Sequence, residues 1–189
     1  MDSVRTILFV GKPGSGKETQ ADLLAKKTGF RVFSTGKRFR EIREEKTNLG
    51  SRVRETVDKG LLLPAWLASY LFQEVILTTT PEEGLIFEGT GRALSEAELF
   101  HDVAHWLGRP YMVLNLVISD DEAVKRQVGR GRVDSNTEEK VRVRLGEYEK
   151  HTAPVIDFFE KQKALVNVDG ERLIEEIHED IAKIFGVQK

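Results

Sequence analysis

Apolar residues fall along this chain in short, β-rich runs separated by longer stretches with helical spacing. Thr6–Val10, Leu85–Phe87, Tyr111–Ile118 and Ala164–Val168 are near-continuous apolar runs, and Arg31–Phe33 is a shorter fifth. Between them the spacing predicts helices over Thr19–Thr28, Gly36–Lys46, Leu49–Lys59, Trp66–Leu77, Glu96–Leu107, Asp120–Val128, Thr137–Lys161 and Arg172–Phe185. A strand that is apolar at successive positions, rather than at alternate ones, is covered on both faces. Such strands alternating with helices predict an α/β protein built on a parallel sheet with helices on either side. The helix ending near Lys161 must bend or break around Ala153 and Pro154, because proline removes a backbone donor from the helical ladder.

Two stretches interrupt this alternation and read as insertions into one domain of 189 residues. Residues 34–63 are helical and charged, with a break at Gly60. Residues 129–136, Gly-Arg-Gly-Arg-Val-Asp-Ser-Asn, form a polar connection between two helices. Their polarity and position predict mobile covers over a site in the core domain. Trp66, just after the first insertion, is expected to pack in the core.

Composition removes several function classes. A net charge of −2 gives no electrostatic case for nucleic-acid binding. The chain has no cysteine, so disulfides, thiol catalysis and cysteine-based zinc sites are excluded. His101 and His105 have the i, i+4 spacing that can hold a metal. They lack the glutamate of an H-E-x-x-H site and are expected on the surface or at a cap. No apolar stretch approaches membrane-spanning length and no secretory signal precedes the first strand, so a cytoplasmic monomer is expected.

The most specific chemistry lies directly after the first strand, where residues 11–17 read Gly-Lys-Pro-Gly-Ser-Gly-Lys. Strand, glycine-rich turn, lysine, helix is the setting of a P-loop. The loop points successive backbone N–H groups inward, the helix adds its own unpaired N–H groups and positive dipole end, and Lys17 supplies a mobile cation. The segment therefore predicts binding of a nucleoside triphosphate.

Further short motifs follow in order. Residues 11–20 read GKPGSGKETQ, residues 34–40 STGKRFR, and residues 88–92 EGTGR with Glu96 four positions on. Then come RGRVDSN from Arg130, VRLGEY from Val143 and TAPVI from Thr152. This series resembles the adenylate kinase family of nucleoside-monophosphate kinases from about residue 5 to residue 185. The family pattern is roughly G-x-P-G-[SA]-G-K-G-T-Q, S-T-G-D-x-x-R, D-G-[FY]-P-R with a Gln four residues on, R-G-R…R-x-D-[DS]-N, R-L-x-x-Y and T-x-P-[VL]-I. The second insertion matches the short-lid subgroup. The resemblance implies a three-layer P-loop fold with a helical monophosphate-binding insertion at 34–63 and a short lid at 129–136. It also implies transfer of the γ-phosphoryl group from Mg²⁺·ATP to a nucleoside monophosphate, with AMP as the family-weighted acceptor.

Carried over residue by residue, Gly14, Ser15, Gly16, Lys17 and Thr19 cradle the ATP phosphates, and Arg126 lies beside the ATP adenine. Arg40 and Arg92 match the arginines on the acceptor phosphate, with Thr35, Gly36, Gly89 and Glu96 completing that subsite. Arg130, Arg132 and Arg144 close on the phosphates from the lid side, and Glu88 stands where an Asp holds hydrated Mg²⁺. The residue types suit the chemistry independently, since phosphoryl transfer between polyanions needs positioning, positive charge and exclusion of water.

Four departures bear on substrate and rate. Glu18 replaces the glycine after the P-loop lysine, and its charge is tolerable only if it points away or pairs with a cation such as Lys12 or Arg132. Lys37 replaces an Asp, and Thr90-Gly91 replaces a Phe-Pro pair that would stiffen the turn before Arg92. Glu96 replaces a Gln that reads the acceptor adenine; a carboxylate cannot donate and matches an edge with two donors, such as that of guanine. These changes keep GMP or a pyrimidine monophosphate open as acceptor, and likewise a nucleotide-binding protein with reduced turnover. A P-loop kinase with a non-nucleotide acceptor fits less well, because paired Arg40 and Arg92 suit an acceptor that already carries a phosphate.

Overall fold

The computed structural model of the chain describes residues 4–59, 61–128 and 137–186. Strands β1 (Thr6–Gly11), β2 (Arg31–Ser34), β3 (Leu85–Glu88), β4 (Tyr111–Val117) and β5 (Leu165–Asp169) form a sheet in the order β2-β3-β1-β4-β5. Every pairing in it is parallel. All five apolar runs of the sequence are thus strands, and the expected α/β architecture with a parallel sheet is present.

Period-two alternation divides the buried side chains between two faces. Leu8 and Val10 of β1 point to one side, where they meet Phe72 and Ile76 of α4 (Ala65–Leu77), Phe100 and Ala104 of α5 (Leu94–Trp106), and Val155 and Phe159 of α8 (Ala153–Lys161). Ile7 and Phe9 point to the other, against Leu24 of α1 (Lys17–Thr28) and Ile177 and Ile181 of α9 (Ile174–Ile184). Three layers result. Truncating a buried leucine, isoleucine or phenylalanine among these to alanine costs about 2–5 kcal/mol.

The first insertion carries α2 (Thr35–Glu44) and α3 (Asn48–Val57), each started by a side-chain cap. Ser34 Oγ accepts from Lys37 N–H at 3.2 Å, and Thr47 Oγ1 accepts from Gly50 N–H at 3.0 Å. Ile42 and Val53 from these helices meet Leu67 and Leu71 of α4, giving the insertion a small core of its own. In a separate cluster, α6 (Asp120–Val128) and α7 (Glu138–Glu147) pack Ala123 against Val141 and Leu145. Residues 129–136, the second insertion, lie outside the described residues.

Two expectations are refined. The break expected near Pro154 is a π-helical turn, Tyr148–Thr152, after which α8 restarts with Pro154 in its first turn, where a missing N–H costs nothing. Trp66 does not pack in the core; it is 68% exposed. The inner side of α4 is filled by Leu67, Leu71, Phe72 and Ile76, so position 66 falls on the outer side with exposed Tyr70 and Leu77. Among the histidines, His101 Nδ1 shares a hydrogen bond with the Tyr111 hydroxyl at 2.8 Å.

Candidate active site

In a parallel sheet, ligands bind beyond the carboxyl ends of the strands where the strand order reverses. Here the chain leaves β1 toward β2 and crosses from β3 to β4 on the opposite side, so the reversal lies above β1 and β3. A cleft opens at that place. Its walls include Gly14, Gly16 and Lys17 from the P-loop, Thr35, Gly36 and Arg40 from α2, Glu88, Gly89, Arg92 and Glu96 from the end of β3 and the start of α5, and Arg144 from α7.

The P-loop turns through left-handed backbone at Gly14 (φ 86) and Gly16 (φ 94), which a side chain would resist. Gly16 is the N-cap of α1, so the unpaired N–H groups of that helix face the loop. Lys17 Nζ donates to the carbonyls of Gly11 and Lys12, both at 2.7 Å, and lies 3.3 Å from Ser15 Oγ. Its ammonium is therefore held at the mouth of the loop. Ser15 is buried beneath the loop, and Thr19 sits in the first turn of α1; neither is part of the cleft wall.

In the same cleft two guanidinium groups converge. A Cβ placed on Gly36 would lie 3.4 Å from Arg40 Nη1 and 3.9 Å from Arg92 Nη2. Both groups thus meet at one point of bare backbone. Glu88, nearly buried at the end of β3, accepts a hydrogen bond from Ser34 Oγ at 2.6 Å. Thr35 Oγ1 and Thr90 Oγ1 are hydrogen-bonded at 2.8 Å, joining the start of α2 to the turn after β3.

Glu96 is 3% exposed, and its Oε2 accepts from the backbone N–H groups of Gly91 and Arg92, both at 3.1 Å. Burial pushes its carboxyl above the ordinary range, against the opposing pull of the Arg92 N–H bond and the Arg92 charge. The carboxylate expected to face a base is thus at least half committed to its own turn.

From α7, Arg144 Nη1 donates to Oε1 of buried Gln127 at 3.1 Å. Arg126 is set apart from the cleft wall; its Nε donates to Glu122 at 2.7 Å and its Nη1 to the Gly170 carbonyl at 2.8 Å. Arg130 and Arg132 lie outside the described residues. Glu18 pairs with Arg40 at 3.3 Å rather than with Lys12, which is taken by Asp120 at 2.6 Å. The reason is geometric: on the first turn of α1, position 18 faces α2, whereas Lys12 lies toward α6.

Several wall residues were not assigned a role from the sequence. Tyr148 and Thr152 come from the π-helical turn, and Thr152 Oγ1 donates to the Arg92 carbonyl at 2.8 Å. The R-L-x-x-Y and T-x-P patterns mark these two positions in the sequence without giving their role. Phe39, Val57 and Leu61–Leu63 add an apolar side to the cleft, which in the sequence looks like ordinary helix packing.

Sheet, loop and cleft define a P-loop α/β protein whose phosphate loop shares one cleft with Arg40, Arg92 and Arg144. The family model "Adenylate kinase" matches residues 9–164. The adenylate kinase of Porphyromonas gingivalis is 36% identical over 182 residues, covering 94% of each chain. Adenylate kinase 1 of Nostoc sp. is 34% identical over 181 residues, covering 95% of this chain and 98% of its own. The adenylate kinase of Corynebacterium glutamicum is 33% identical over 181 residues, with the same coverage. The chain belongs to the adenylate kinase family and is thereby an ATP-dependent nucleoside-monophosphate kinase.

Proposed function

We propose that this chain transfers the γ-phosphoryl group of ATP to AMP, giving two molecules of ADP. The observation that carries the reading is the convergence of Arg40 and Arg92 at Gly36, in the same cleft as Lys17 and the P-loop. A donor site for a triphosphate and an acceptor site for a phosphate thus share one cleft. The names of the relatives, all adenylate kinases, favour AMP as that acceptor.

In this reading an oxygen of the acceptor phosphate attacks the γ-phosphorus, and the bond from that phosphorus to the β,γ-bridging oxygen breaks. The acceptor oxygen is already anionic near neutral pH, so no general base is required. Lys17 and the N–H groups of the P-loop hold the β- and γ-phosphates. Arg92 and Arg40 hold the acceptor phosphate in line, and Arg144 approaches the transferring group from α7. Fixed charges of this kind stabilise a transition state because they need not reorganise as it forms. Arg130 and Arg132 are assigned to the same task from the second insertion. Arg126, tied to Glu122 and Gly170, flanks the nucleoside end of ATP.

Mg²⁺ keeps several of its waters and is held by one or two carboxylates together with substrate phosphates. Among the described residues there is no cluster of three His, Cys, Asp or Glu, but Glu88 at the end of β3 supplies one nearly buried carboxylate beside the P-loop, which fits that pattern. When bound with ATP, the ion neutralises charge that builds up on the phosphates. Residues 34–63 and 129–136 would serve as the covers that keep water from replacing the acceptor.

The test is a coupled assay of ADP formation from Mg·ATP with AMP, GMP, CMP, UMP and dTMP. Fastest turnover with AMP is expected. Preference for GMP would restore the reading of Glu96 as a partner for two donors, and no turnover with any acceptor would leave a nucleotide-binding protein.

A further inference from the structure

We propose that Glu96 is a positioning residue for phosphoryl transfer: its buried carboxylate staples the turn that aims Arg92 at the acceptor phosphate. The inference rests on the reading of Arg92 given above.

The turn between β3 and α5 is soft by composition. Gly89 (φ 78) and Gly91 (φ 71) both take left-handed backbone, and with only Thr90 between them nothing local holds the chain in one path. A proline at position 91 is ruled out by that φ, since its ring fixes φ near −65°. Proline would also lack the N–H that Glu96 receives. The stiffness must therefore come from outside the turn. One oxygen of Glu96, itself buried, captures two consecutive N–H groups at 3.1 Å each, the first in a buried bond and the second in a part-buried one. Thr152 Oγ1 fixes the next backbone group, the Arg92 carbonyl, at 2.8 Å, and Thr35 anchors Thr90.

The side chain this frame aims is closely seated. Arg92 Nη2 lies 2.9 Å from where a Cβ on Gly89 would be, so the guanidinium rests on the bare backbone of the same turn. A shift of the turn moves the guanidinium with it. Misplacement of a charged group by about 1 Å is enough to cost on the order of a hundredfold in rate.

Glu96→Ala and Glu96→Gln are compared with wild type for kcat/KM with AMP and with GMP, and both substitutions are repeated in Arg92→Ala. The expected loss for Glu96→Ala is about tenfold to a hundredfold with both acceptors. Glu96→Gln keeps an acceptor oxygen without the charge and should lose less, about threefold to tenfold. The AMP/GMP ratio should not move, and neither substitution should add a comparable loss once Arg92 is alanine. Full wild-type activity in Glu96→Ala, a changed AMP/GMP ratio, or an equal loss without Arg92 would overturn the inference. If Glu96→Ala does not fold, Glu96→Gln with and without Arg92 decides the matter alone. Absence of turnover by the wild type would count against the functional reading instead. The same comparison is then made on AMP affinity by calorimetry, where Arg92-dependent weakening is expected and unchanged affinity overturns the inference.

Discussion

Glu18→Gln should lower the KM for AMP. Glu18 places a negative charge within the cleft, 3.3 Å from Arg40, one of the two arginines assigned to the acceptor phosphate. An incoming phosphate must share or displace that partner, and it also approaches a like charge. The pair is partly open to solvent, with side-chain exposures of 41% for Arg40 and 33% for Glu18. Solvent screening limits such a pair to about 0.2–1 kcal/mol. Removing the charge while keeping the shape should therefore tighten AMP by up to about fivefold. If the competition acts equally on bound substrate and transition state, kcat stays within about twofold of wild type and kcat/KM rises. Initial rates against AMP at saturating Mg·ATP measure this. The gain should shrink at high salt, because the contribution is electrostatic and partly exposed. An unchanged KM at low salt, or a higher one, would refute the reasoning; a higher one would mean that Glu18 orients Arg40 for its substrate.

Lys17→Met and Arg92→Ala should each remove most phosphoryl transfer, about 3–4 kcal/mol of transition-state stabilisation, with circular dichroism unchanged; near wild-type rates in either would contradict the assigned site. A two-nucleotide bisubstrate analogue should increase hydrogen-exchange protection in α2 and α3, the helices of the first insertion, while tight binding without added protection there would argue against a closing cover. Glu96→Gln should gain melting temperature relative to wild type as pH rises from about 4 to 7. The sign follows from the folded carboxyl being pushed up by burial: the native state holds its proton more tightly, so the contribution of Glu96 is complete below the unfolded value and fades as pH rises through the folded one. A flat or shrinking difference would show that the backbone bonds, and not burial, set the titration.

The local patterns were sufficient for the scaffold because each depends on neighbours in sequence. Short, β-rich apolar runs such as Thr6–Val10, each bounded by turn residues, pointed to strands covered on both faces, and the glycine spacing of residues 11–17 pointed to a turn that fits a phosphate. Glu88 and Arg92 were legible as motifs because they stand at and just after the end of β3, and Arg40 because it follows the start of α2 at fixed spacing. What sequence could not decide was which side chains meet across elements. Trp66 had the character of a core residue, but the inner side of α4 was already filled, and so it lies at the surface. Glu18 found Arg40 because α1 and α2 bring residues 22 positions apart to one side of the cleft. Glu96 turned toward its own backbone because the soft turn at Gly91 left two N–H groups buried beside it, a demand that no spacing expresses. Periodicity and turn chemistry act over a few residues and are written in the sequence. Pairing of buried polar groups and charges depends on distances that exist only once the layers have packed.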